Sequence, residues 1–341
     1  MPSDHLELVV PLDTTRAKLA AVFGKEDASE RASQPGIVTM REPHKKLFVF
    51  SDPHKSKENG YNFDGWTEGD EHGPVFDYTG TGPNGHQVLS GLNGTLLNHQ
   101  EQGLELHLFI SERGKTSGGA KNQRYVGQMV VDAEHPYTER WDYDKRNTLR
   151  KVYVFRLRPV DVDLTDIRPG DAVQPAQQTV VLPIPVPKPE EPVEPAARSR
   201  RTERHRTGRT VATVAVGERI VNRREGILFT AFEEHLKAAR HTFNTFQISV
   251  KGETTRLTPD LYDETDHALY EGKGLATRSN VRMAIGQLLD YRRHIDNADT
   301  LRLAVLLPSK PTPDVQALLQ AEGIHLVFQN EDGSFTGFPL S

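Results

Sequence analysis

The chain has 341 residues, no cysteine, 22 prolines and 27 glycines, with a net charge of −5. At about 150 residues per domain this is roughly two domains, and an apolar content of 36% lets each bury a core, which excludes wholesale disorder. The lack of cysteine excludes disulfides, thiolate-bound zinc, iron–sulfur clusters and thiol catalysis. An acidic total argues against nucleic-acid binding, but the charge is uneven: −5 over residues 1–167, +3 over 168–210 and −3 over 211–341. Met1 to Pro11 lacks a basic segment followed by a long apolar run, and no stretch approaches 18 consecutive apolar residues. The expectation is a cytoplasmic protein with no membrane partner.

Thr14–Phe23 is patterned as a helix. Lys46–Ser51 and Val75–Tyr78 are rich in β-branched and aromatic residues, as strands are. Ser90–Glu101 is helical in pattern, and Leu104–Ile110, Arg124–Val131 and Lys151–Leu157 are again strand-like. Residues 1–167 are therefore expected to form a small β-barrel with flanking helices. From Arg168 to Pro195 the chain carries eight prolines. Proline lacks the amide donor and fixes φ, so this stretch reads as an extended, semi-rigid spacer. Arg198–Arg209 adds six arginines against Glu203, a candidate phosphate-tracking arm. Residues 168–210 are taken as linker.

Residues 211–341 change texture. Arg223–Ala239 has helical spacing. Thr245–Val250, Thr258–Asp263 and Ala268–Lys273 are strand-like. Arg278–His294 is a helix, Leu301–Leu307 an apolar strand, Pro313–Glu322 a helix ending at Gly323, and Ile324–Phe328 a last strand. The order α-β-β-β-α-β-α-β is that of an α/β domain.

Asp260 opens one strand of this domain, and Glu271, Gly272 and Lys273 lie in the next. Glu271 and Lys273 are two positions apart and share a strand face. A hairpin brings Asp260, Glu271 and Lys273 together, with Asp263 as the competitor of Asp260. Two carboxylates and the Gly272 carbonyl make an oxygen site suited to Mg²⁺, with Mn²⁺ as a substitute. Such a metal activates water and stabilises phosphoryl charge, and Lys273 orients the nucleophile or neutralises the phosphate. Pro259-Asp260 … Glu271-Gly272-Lys273 resembles the PD-(D/E)xK nuclease superfamily, in the matching α-β-β-β-α context. Gln287 and Tyr291, an i,i+4 pair on the following helix, are similar to the Q-x-x-x-Y pattern of a large branch of that superfamily. The resemblance implies site-facing roles for Gln287 and Tyr291 and a further metal contact from Glu225.

In the N-terminal half Tyr61, Asp64, Gly65 and Trp66 are followed by Phe76-Asp77-Tyr78-Thr79-Gly80-Thr81-Gly82. This resembles the SRA (YDG) domain, a PUA-like barrel that recognises modified cytosine. Asn93, Arg124-Tyr125-Val126-Gly127 and the strand Val152–Arg156 agree with it, and the likeness covers about residues 40–160. It implies that Tyr61 and Tyr78 stack on a flipped base, that Asp64 accepts from the cytosine N4 amine, and that Thr79 touches the base edge. The loop Pro83–Gln87 is short and uncharged, where vertebrate-type relatives carry a basic finger. Arg113, Lys115, Lys121 and Arg124 flank a glycine-rich loop and are a candidate clamp on the DNA backbone.

No histidine pair with metal-ligand spacing stands out among the 14, and none is assigned to metal or acid–base work. No Walker-type phosphate loop is present. Together the features read as a modification-dependent, type IV-like restriction endonuclease of prokaryotic cytoplasm, associated with the nucleoid when bound. Its partner is double-stranded DNA with modified bases, and a double-strand break calls for a homodimer. The alternatives are a non-catalytic modified-DNA reader and a modification-independent repair nuclease.

Overall fold

A computed structural model describes residues 6–23, 36–40, 43–52, 63–115, 121–144, 146–187 and 224–338. The chain divides into two units, Met1–Gln174 and Pro175–Ser341.

The first unit is a nine-stranded sheet flanked by two helices. Its elements are β1 (Leu12–Thr15), α1 (Arg16–Phe23), β2 (Ile37–Met40), β3 (Lys46–Ser51), β4 (Gly65–Trp66), β5 (Phe76–Thr79), α2 (Gly91–Leu97), β6 (Glu105–Lys115), β7 (Lys121–Val131), β8 (Tyr137–Tyr143) and β9 (Leu149–Pro159). The strand order is β2-β3-β6-β7-β9-β5-β4, with β1 paired to β7 and β8 to β9. Among the described residues β2 and β4 end this path without pairing to each other. The expected barrel is thus, among the described residues, a β-rich sheet whose closure is not seen. Strand alternation explains its two cores. Leu47 and Val49 of β3 join Leu106, Leu108, Tyr78 and Phe155 on one face, beneath Leu96 of α2. Phe48 and Phe50 join Phe109 and Tyr125 on the other, beneath Leu19 and Phe23 of α1. Burial on both faces is why β3 reads as an unbroken apolar run.

The second unit is an eight-stranded sheet between helices. It comprises β10 (Val180–Ile184), α3 (224–238), β11 (Phe243–Ser249), β12 (Arg256–Leu257), β13 (Leu261–Asp263), β14 (Ala268–Gly272), α4 (Arg278–Arg292), β15 (Arg302–Leu307), α5 (Pro313–Ala321), β16 (His325–Gln329) and β17 (Phe335–Gly337). The order is β10-β11-β13-β14-β15-β16-β17, with β12 on β11. β14, β15 and β16 are parallel, with α4 and α5 in the two crossovers between them. The other pairs are antiparallel. Leu228, Phe232 and Leu236 of α3 cover Leu261, Tyr270 and Leu306 on one face. Val281, Leu288 and Tyr291 of α4 and Val315 and Leu319 of α5 cover Leu269, Leu303 and Val305 on the other. Thr277 caps α4 by accepting the Asn280 amide, and Gly323 at φ 66° follows α5 in the left-handed conformation.

The proline-rich stretch is not a free spacer where it is described. Pro169–Asp171 form a 3₁₀ turn, and the Val173 amide donates to the Trp66 carbonyl at 2.9 Å, inside the first unit. Val180–Ile184 is the edge strand β10, paired to β11 with Pro183 opposite Phe246. An edge tolerates proline because no further strand needs its amide. Arg198–Arg209 lie outside the described residues. No helix among the described residues is long and apolar enough to cross a membrane.

Candidate functional site

In the first unit the strand end at β5 is built around Asp64. Its Oδ1 accepts the Thr79 amide and its Oδ2 the Ser51 hydroxyl, each at 2.7 Å. Three segments, the end of β3, the residue before β4 and the end of β5, thus converge on one carboxylate. Burial pushes Asp64 up to about 6, against the opposing effect of those two donors. Asp77 is also pushed up to about 6 by burial, and its Oδ1 is buried with no hydrogen-bond partner. Tyr78 is buried, and a side chain at Gly36 would meet its hydroxyl at 2.7 Å. The structure thus brings Asp64, Tyr78 and Thr79 to one strand end, and Tyr61 lies outside the described residues.

The loop after Thr79 is held by Gln87, by Asn93, which the sequence already marked as agreeing with the SRA pattern, and by Arg150, which it did not mark. Gln87 donates to the Gly80 carbonyl and accepts from the Tyr153 amide. Asn93 accepts from the Thr81 amide at 2.8 Å and donates to the Thr81 carbonyl at 3.0 Å. Arg150, fully buried, donates to the Gly82 carbonyl. Gly80 is required by space, since a Cβ there would lie 2.9 Å from Asn93 Oδ1 and 3.0 Å from Phe155. The polar side chains of Gln87 and Arg150 leave no periodic signal, so only the fold reveals what they hold.

The expected backbone clamp is corrected at Arg124. Its side chain is 2% exposed and pairs with Glu112 at 2.6 Å, Asp166 at 2.7 Å and Asp171. Burial disfavours its charge, but the three carboxylates outweigh that and hold its pKa up. It ties 166–171 to the sheet and has no free donor face for phosphate. Lys121 is paired with Asp52. The side chains of Arg113 and Lys115 lie outside the described residues. Other basic residues of this unit are paired as well: Arg156 and Arg158 with Asp70, and Lys151 with Glu139.

In the second unit the β13–β14 hairpin assembles the expected carboxylates. The Gly272 amide donates to Asp260 Oδ2 at 2.9 Å, and Lys273 Nζ donates to Glu271 Oε1 at 2.8 Å. The Lys273 amide extends the ladder to the Leu306 carbonyl at 3.0 Å. Glu225, near the start of α3, reaches Lys273 Nζ at 3.7 Å. Burial raises Asp260, Glu271 and Glu225. Burial would lower Lys273, but the neighbouring carboxylates, Glu271 first, outweigh it and keep it charged. Glu271 is 2% exposed, and its Oε2 is buried without a donor. Tyr291 is pushed up by burial and then by the Glu271 and Asp260 charges, and Gln287 donates to its hydroxyl at 3.3 Å. A Cβ at Gly272 would lie 2.4 Å from the Phe229 ring, so only glycine lets α3 pack this close. Asp263 accepts from His241 at 2.6 Å and from the Thr265 amide at 2.9 Å. It thus stands apart from the Asp260 group.

The family model of the ScoMcrA-like SRA domain matches residues 14–179. No curated protein matches the chain. A solved structure of the sulfur-binding and SRA domains of ScoMcrA with phosphorothioated DNA is 19% identical, covering 47% of this chain and 43% of that one, with a TM-score of 0.32. The SUVH5 SRA–methylated CHH DNA complex is 23% identical, covering 49% and 95%, with a TM-score of 0.30. The type IV phosphorothioation-dependent restriction endonuclease ScoMcrA is 19% identical, covering 48% and 31%, with a TM-score of 0.30. This chain therefore spans under half of the ScoMcrA structures it matches. Residues 14–179 are an SRA domain of the ScoMcrA-like type.

Proposed function

We propose that this chain is a modification-dependent DNA endonuclease whose first unit reads a modified cytosine and whose second hydrolyses a phosphodiester. The reading rests first on the family match over residues 14–179, joined to the Asp64–Thr79–Ser51 contact. Flipping a base out of a duplex costs a few kcal/mol. Stacking on Tyr61 and Tyr78 returns ~1–3 kcal/mol per aromatic face. Asp64, ionised above about pH 6, accepts from the N4 amine and so selects cytosine.

Support for the second activity is the meeting of Asp260, Glu271 and Lys273 at one end of a hairpin. The unpartnered buried Oε2 of Glu271 and the raised carboxylates Asp260 and Glu225 fit a divalent cation. In this reading Asp260, Glu271, Glu225 and the Gly272 carbonyl hold Mg²⁺, with Mn²⁺ as a substitute. When bound, the metal supplies a water of lowered pKa and neutralises phosphoryl charge. Lys273 stays protonated beside Glu271 and stabilises the developing negative charge. Gln287 and Tyr291 line the same side. A single centre cuts one strand, so a double-strand break requires a homodimer.

The test is incubation with Mg²⁺ and two matched plasmids, one unmodified and one carrying methylated or hydroxymethylated cytosine. Cutting of the modified plasmid alone is expected. Equal cutting of both rules out modification dependence. Binding without cutting establishes the reader.

A further inference from the structure

The second unit holds another group of ligand-type side chains at the opposite end of the β13–β14 hairpin. Asp263 lies three residues from Asp260, about 10 Å along a strand. His241 follows α3, just after Arg240 turns the chain at φ 62°. Asp263 ends β13, and Asp266 lies in the turn to β14. The ligand atoms of these three residues all lie within 4.8 Å of one another. The His241 side chain is 5% exposed and Asp263 is fully buried.

The surroundings hold polar atoms left without partners. Asp266 Oδ2 is buried and has no hydrogen-bond partner. The hydroxyl of Tyr270, a fully buried residue on the same sheet face, has none either. Burial, and then the charges of Asp263 and Asp266, push that hydroxyl above its ordinary range. His235 Nε2, on the preceding turn of α3, is buried and unpartnered as well. An unsatisfied buried polar group costs about 1–3 kcal/mol. Several of them around one carboxylate–imidazole pair make a polar, buried place suited to a ligand.

We propose that His241, Asp263 and Asp266 bind one divalent cation of the zinc class. One imidazole and two carboxylates suit zinc, whereas magnesium prefers an all-oxygen shell. The proton now shared between His241 Nδ1 and Asp263 Oδ2, 2.6 Å apart, leaves to solvent as the cation enters. The metal fastens the hairpin turn to the C-terminal end of α3. That helix carries Glu225 near its start, and the hairpin carries Asp260 and Glu271. The ion is thus a structural staple that fixes helix and hairpin together, distinct from the Asp260–Glu271 pair and independent of the nuclease reading.

The test uses the untagged 341-residue chain with Glu271→Gln, which weakens the other carboxylate group, after stripping with chelator. Calorimetric titration with ZnCl₂ is expected to show one tight equivalent per chain. Zinc at 100-fold over its Kd is expected to raise the melting temperature by about 5 °C or more. Adding Asp266→Asn is expected to weaken zinc binding at least tenfold and to remove most of the rise. If that variant does not fold by circular dichroism, His241→Gln on the same background is judged by the same criterion. Absence of zinc binding in the Glu271→Gln chain overturns the proposal. So does binding that the substitution leaves unchanged, which marks adventitious zinc on surface histidines.

Discussion

The Asp64 carboxylate accepts the Thr79 amide at 2.7 Å, joining the residue before β4 to the end of β5. This contact fixes the carboxylate on the backbone that the proposed base edge must approach. Because burial sets the folded pKa near 6 rather than 3.8, the native state holds the proton more tightly than the unfolded chain. Ionising Asp64 therefore costs stability as pH rises from about 4 to about 6, and the full cost, about 3 kcal/mol, stands above that. Preference for modified over unmodified duplex is expected to fall as pH drops below about 6, where the acceptor is protonated. Asp64→Ala is expected to lower that preference about tenfold or more at pH 8. Competition binding at pH 5 and pH 8 measures both, and a preference unchanged in the variant removes Asp64 from base reading.

Lys273 and Glu271 form a buried charge pair of the proposed active site. Lys273→Ala is expected to reduce cleavage about 10²–10³-fold and leave affinity for modified duplex within about twofold. Cleavage rates and gel-shift affinities on one substrate separate the two. Loss of binding in this variant contradicts the division of labour between the units.

Arg124 sits among three carboxylates and is 2% exposed. Removing it takes from Asp171 the cation it pairs with, while Arg168 still holds Asp166 at 2.7 Å and Glu112 at 3.6 Å, so Arg124→Met is expected to destabilise the first unit by about 3–5 kcal/mol. If it touched phosphate instead, the slope of log K against log salt would fall by about 1. Urea denaturation and salt-dependent binding decide between an internal tie and a DNA contact; the expectation is lost stability with an unchanged slope.

Gly272→Ala places a methyl 2.4 Å from the Phe229 ring. Backbone on one side and a packed helix on the other leave little room, so a loss of about 1–3 kcal/mol is expected. Phe229→Leu in the same chain is expected to restore part of it. If the double variant is no more stable than Gly272→Ala alone, the ring is not what demands glycine.

The strand Lys46–Ser51 was legible as an unbroken apolar run buried on both faces, and the helix Arg278–Arg292 because its apolar face recurs at the helical period. β8 was not, because Tyr137–Tyr143 is only partly buried along its length and its side chains show no apolar alternation. The hairpin motif of Asp260, Glu271 and Lys273 was legible for a related reason. Its members are close in sequence, and a two-residue spacing on a strand already sets a shared face.

By itself, the sequence determined the two-part plan, the lack of thiol chemistry, the aromatic and acidic signature around Asp64 and Tyr78, and the carboxylate–lysine spacing. The tertiary structure alone decided which charges are available. Arg124 is an arginine beside a glycine-rich loop in sequence; in the fold it is enclosed by carboxylates 12, 42 and 47 positions away. Pro183 looks like a spacer residue until β11 supplies an edge. The net charge of −5 argued against DNA as a sum. Burial and pairing leave that sum unchanged, since each ion pair removes one charge of each sign; they decide only which charges remain in the field outside the protein.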